Sequence, residues 1–88
     1  MTFEPKLVKQ FVAIFEESKN KIRNFEGCLH LELWNDQQNK NIYFTYSHWQ
    51  TEEHLHSYRH SPLFIAVWKK TKALFAARPE AWSVTKIV

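Results

Sequence analysis

Four of the five histidines and all three tyrosines of this chain fall in residues 41–64, NIYFTYSHWQTEEHLHSYRHSPLF. Thr45 and Ser47 are short hydroxylic residues set among large rings. Short side chains between rings leave space, and their hydroxyls can hydrogen-bond an oxygen-bearing ligand. Trp49, Phe64 and Trp68 offer flat apolar walls, and Tyr58 adds a ring with a polar tip. His54 follows directly after this aromatic run, and an imidazole titrates near neutrality, so it is the candidate for moving a proton. These residue types predict a pocket for a small flat molecule. Thr45, Ser47, Trp49, Phe64 and Trp68 would bind the ligand, and His54 and Tyr58 are the catalytic candidates.

Other patterns carry less chemistry. His56 and His60 stand four apart, as zinc ligands on a helix can. No third ligand has a recognisable spacing and there is no HExxH, so no metal is expected. The single cysteine, Cys28, excludes a disulfide within the chain and a four-cysteine zinc site. Nothing beside it would activate a thiolate. One glycine, Gly27, is too few for a phosphate-cradling loop, which excludes a Walker or Rossmann nucleotide site. No cofactor is expected.

The elements that must position these residues are legible from periodicity. Eighty-eight residues make one domain, 1–88, and seven Phe, four Trp and three Tyr let so short a chain bury a core. Pro5 suits the first turn of a helix. Leu7, Phe11, Ile14, Phe15, Ser18 and Ile22 then recur at helical spacing, which predicts one amphipathic helix over residues 5–24. Residues 28–35 alternate strictly, and residues 41–49 make a second strand after a polar loop. As a hairpin, the expected pairing sets Leu29, Leu31 and Leu33 beside Ser47, Thr45 and Tyr43. The other face collects His30, Glu32, Trp34, Ile42, Phe44, Tyr46 and His48. Thr51 caps a short helix with Glu52 and Glu53 in its first turn. Ser61 and Pro62 restart helix, with Phe64, Val67, Trp68, Thr71 and Phe75 as its inner stripe. Residues 81–88 alternate as a last strand.

This order predicts an α+β, ferredoxin-like βαββαβ fold with an antiparallel sheet and a first strand truncated to residues 1–3. Two helices cover one face of such a sheet. Trp34, Ile42, Phe44 and Tyr46 would leave the other face as a large exposed apolar patch, which a second copy would bury, so a homodimer is expected. His30, Glu32, Tyr46 and His48 are read as a polar network in that interface.

The charge of +3 is mild and spread along the helices, which does not argue for nucleic acid. The longest apolar run, residues 11–15, is far too short to span a membrane. The chain is therefore expected to be cytoplasmic, with neither nucleic acid nor membrane as a partner.

The stretches FEGCLHLELWND, YSHWQTEEHLHSYRHSPLF and PEAWSVTKIV together resemble the antibiotic biosynthesis monooxygenase domain. This dimeric α/β-barrel family includes quinol monooxygenases. Trp49 matches the tryptophan that closes the third strand and lines the pocket of the quinone-forming branch, and Thr45 stands where that branch has asparagine. Tyr58 and Trp68 occupy the positions of the haem-degrading branch's tryptophan and iron-ligating histidine. Tyr58 and Leu63 replace two histidines of a signal-processing branch. The resemblance implies cofactor-independent oxidation of a small phenolic or hydroquinone-like aromatic by molecular oxygen. The alternative is a non-catalytic dimeric small-molecule-binding or stress protein of the same fold. RNA-recognition domains share the element order, but YFTYSHW lacks the glycine and basic lead of their aromatic motif.

Overall fold

A computed structural model describes residues 1–88. Pro5–Leu7 form a single 3-10 turn that leads into helix α1, Val8–Arg23. Strands β1, Cys28–Asn35, and β2, Tyr43–Trp49, follow, and then helices α2, Glu52–Arg59, and α3, Pro62–Lys72. The helix expected over residues 5–24 is thus present. Phe11, Phe15, Ser18 and Ile22 are its buried stripe, one position per turn. That stripe packs α1 against β1 and α3. Arg23 anchors its end by donating to the Leu31 carbonyl oxygen at 3.1 Å.

The turn between α1 and β1 depends on Gly27, whose φ of +85° lies in the left-handed region that side chains disfavour. A Cβ there would sit 2.2 Å from Cγ of His54, so the position is closed by contact as well as by conformation.

Strands β1 and β2 form an antiparallel hairpin, but its register is two residues from the expected one. Leu31 lies opposite Ser47, Leu33 opposite Thr45 and Asn35 opposite Tyr43. An even shift preserves the faces, since side chains alternate with a period of two. Leu29 is the exception. A bulge between Cys28 and His30 removes it from the leucine row, and it is 66% exposed.

Residues 1–3 sit at the centre of the sheet. Thr2 bridges antiparallel to Ile42, and Phe3 bridges antiparallel to Phe75. Their backbones exchange hydrogen bonds on both sides: the Phe3 N–H donates to the Asn41 carbonyl and the Ala76 N–H to that of Thr2. The strand order is therefore residue 75, residues 1–3, β2, β1, which is the ferredoxin-like order. Phe3 is fully buried and stacks on Phe11 with ring centroids 4.1 Å apart. Burying such a ring contributes about 1.5–3 kcal/mol, so the short segment is held by packing as much as by pairing.

The last strand is not where periodicity placed it. Phe75 takes the edge position beside residues 1–3, and residues 81–88 carry no regular secondary structure. The place expected for the alternating tail, beside residues 1–3, is thus already taken. Trp82 and Val84 stand 70% and 79% exposed. No helix is long and apolar enough to cross a membrane.

Candidate functional site

Between the helix-covered face of the sheet and the helices lies a cavity of about 390 Å³, open to solvent on one side. Its floor is the apolar core: Phe11, Phe15 and Ile22 from α1, with Leu31 from β1. Thr45 and Ser47 project from β2 into it, so the short residues among rings do leave room. Both are exposed even though they lie on the helix side of the sheet, because they face the void. Ser47 Oγ accepts from Trp49 Nε1 at 3.1 Å, whereas the Thr45 hydroxyl makes no hydrogen bond within the protein.

The wall is a continuous run of rings. Trp49 stacks on Tyr58 with centroids 4.9 Å apart and planes 24° from parallel. Tyr58 meets Phe64 edge-on at 5.2 Å, and Phe64 lies nearly parallel to Trp68 at 5.8 Å. Local chemistry sets these positions. The Thr51 hydroxyl accepts from the His54 N–H and starts α2, and the Ser61 hydroxyl accepts from the Phe64 N–H and starts α3 after a break at His60. That break turns α3 so that Phe64 and Trp68 face the cavity alongside Tyr58. Burial, with a smaller contribution from Cys28, pushes the Tyr58 phenol up to about 12. Tyr58 is thus a neutral hydrogen-bond donor near neutral pH, and its hydroxyl has no partner within the protein.

All five residues expected to bind ligand, Thr45, Ser47, Trp49, Phe64 and Trp68, line this one cavity, and Tyr58 lines it with them. His54 does not. Its ring lies over Gly27, its Nδ1 is 2.7 Å from the Thr51 hydroxyl, and it borders a separate depression of about 410 Å³ with Phe25, Glu26, Glu53 and Ser57. The first turn of α2 directs it to the outside of the strand-to-helix junction, so the expected proton acceptor is not at the wall.

Several lining residues were not anticipated. Leu55 stands one turn before Tyr58, so helical spacing alone could have found it. Arg59 and Glu80 supply the only basic and the only acidic side chain of the lining. Glu80 had no sequence signal, because its place depends on the path of the chain after α3.

On the opposite sheet face, Trp34 and Phe44 are 50% and 42% exposed, and Trp34 stacks on Tyr46 at 4.9 Å. His30 Nε2 lies 2.8 Å from Glu32 Oε2, Trp34 Nε1 donates to Glu32 Oε1 at 2.8 Å, and His48 pairs with the Tyr46 hydroxyl. The hydrogen bonds from His30 and then Trp34 hold the Glu32 carboxyl below its ordinary range. His56 on α2 and His60 just beyond its end, with ring centroids 4.2 Å apart, are both exposed, and neither lines the cavity. Cys28 is half-buried, and burial raises its thiol.

The sequence profile of the antibiotic biosynthesis monooxygenase family matches residues 1–70. No functionally curated protein is significantly similar to the chain in sequence. Among solved structures, a conserved protein from Methanosarcina mazei superposes with a TM-score of 0.85 at 18% identity, covering 90% of this chain and 78% of that one. A candidate antibiotic biosynthesis monooxygenase from Caulobacter crescentus gives 0.83 at 18%, covering 89% and 74%. Rv0793 from Mycobacterium tuberculosis gives 0.80 at 15%, covering 99% and 91%. At these identities the likeness establishes the fold.

Proposed function

Because this chain belongs to the antibiotic biosynthesis monooxygenase family, we propose that its cavity oxidises a small phenolic or hydroquinone-like aromatic with molecular oxygen and without a bound cofactor. The observation that carries this reading is the convergence of Thr45, Ser47, Trp49, Tyr58, Phe64 and Trp68 on one open cavity with an apolar floor.

The ring of the substrate lies against the aromatic wall. The neutral Tyr58 phenol and the free Thr45 hydroxyl orient its oxygens. Loss of a phenolic proton makes the ring electron-rich enough to pass an electron to oxygen. Glu80, the only carboxylate of the lining, is the proton acceptor in this scheme. One oxygen atom then enters the ring and the other leaves as water. For a hydroquinone, the product is a hydroxyquinone, and the substrate supplies every electron. The apolar floor excludes water from the radical pair, and the wall fixes its orientation.

Aerobic oxygen uptake with a panel of hydroquinones and anthrones tests the proposal. One oxygen consumed per substrate supports it; a ligand that binds without any uptake overturns it. That second outcome would favour a non-catalytic small-molecule-binding protein, a reading supported by the absence of any imidazole from the cavity wall.

The same reading includes a homodimer formed through the sheet face that bears Trp34, Phe44 and Tyr46. Exposed rings of this size on one face are the support for it. Light scattering on the wild type and on Phe44→Glu measures it, and an unchanged monomeric mass in both would sink it.

A further inference from the structure

Resting on the reading of the cavity as a ligand site, we propose that Arg59 makes it selective for aromatics carrying an anionic oxygen group, a carboxylate or a phenolate, over their neutral counterparts. Arg59 is the one basic side chain among the eighteen residues of the lining, and the other cation there, the Met1 ammonium, is committed to the Tyr43 carbonyl oxygen at 2.8 Å. It is the last residue of α2, next in sequence to Tyr58, so the guanidinium and the free phenol belong to the same end of the same helix.

The guanidinium is uncommitted. Lys19 pairs with Glu16 and His30 lies against Glu32, and Arg59 takes part in neither contact. It makes no side-chain hydrogen bond, and Glu80 of the same lining is not paired with it. Five N–H donors in a fixed fork match a carboxylate bidentately and a phenolate through one or two bonds. Arg59 is exposed, so its attraction for an anion that arrives with its ring against the wall is that of a partly screened contact. A bound phenol beside this cation also ionises more readily than in water.

The test is calorimetric titration with 2-naphthoate and with 2-naphthamide, which share a ring system and differ in charge. The wild type should bind the carboxylate about 5- to 10-fold more tightly, the range expected of a partly screened charge-assisted contact. Arg59→Gln should reduce naphthoate to the level of the amide and leave the amide unchanged, and Arg59→Lys should restore most of the preference. Raising salt to about 0.5 M should shrink the difference, because a contact at an open mouth is screened. Equal binding of the two compounds by the wild type, or a preference that survives Arg59→Gln, would overturn the assignment of Arg59 and leave the cavity reading intact. If neither compound binds, the cavity reading falls and this inference falls with it.

Discussion

The indole of Trp49 and the phenol ring of Tyr58 stack at 4.9 Å, joining the last residue of β2 to the penultimate residue of α2. This contact ties the sheet to the helices at the cavity wall. It also separates two roles of Tyr58, since the ring builds the wall while the hydroxyl stays free.

Tyr58→Phe should therefore fold with nearly unchanged stability, because no hydrogen bond within the protein is lost. Its kcat/KM should fall about 3- to 10-fold, the share of one hydrogen bond to ligand. Trp49→Ala should cost about 1–3 kcal/mol in urea unfolding as well, since it removes a half-buried ring. An active Tyr58→Phe enzyme with unchanged kcat/KM would remove the hydroxyl from the mechanism.

The Tyr58 phenol ionises at about 12, against an ordinary value of 10.0. Between those values the unfolded chain has given up the proton and the folded chain keeps it. Stability therefore falls as pH rises through that window and levels off above it. Tyrosinate absorbance should show one of the three tyrosines titrating late. Tyr58→Phe should abolish that step and flatten the alkaline part of the stability curve.

Gly27→Ala should destabilise the protein by at least about 1 kcal/mol, since the substitution meets both a positive φ and the His54 ring. His54→Ala clears the contact but not the conformational strain, so in the double variant it should recover part of the loss. His54→Ala alone should leave oxygen uptake unchanged. A large fall in turnover with intact folding would return His54 to the site.

The Glu32 carboxyl titrates below its ordinary range, so its contribution is present above the unfolded value and lost as pH falls through the lowered folded one. Glu32→Gln should flatten that acidic slope in urea unfolding measured as a function of pH. An unchanged slope would mean that the contacts with His30 and Trp34 do not persist in solution.

Phe3→Ala should cost about 3–5 kcal/mol, the range for truncating a buried aromatic. Phe3 is fully buried and its backbone pairs on both sides, so equilibrium unfolding should show the loss directly. A cost below about 1 kcal/mol would mean that the N-terminal segment is not part of the core.

What the sequence by itself determined is whatever local periodicity and capping can carry. The stripe of α1, the β1–β2 hairpin with its two faces, the Thr51 and Ser61 caps and the rings around the cavity all follow from spacing. Register escaped it by two residues, because an even slip costs no exchange of faces, and the bulge at Leu29 has no local signature. The tertiary structure alone decided that three N-terminal residues form the middle of the sheet. It also decided that Phe75, rather than the alternating tail, pairs beside them. Arg59 and Glu80 reach the cavity, and His54 leaves it, for the same reason. The direction of a side chain at an element's end depends on how the helices dock on the sheet, and only packing across the whole chain sets that.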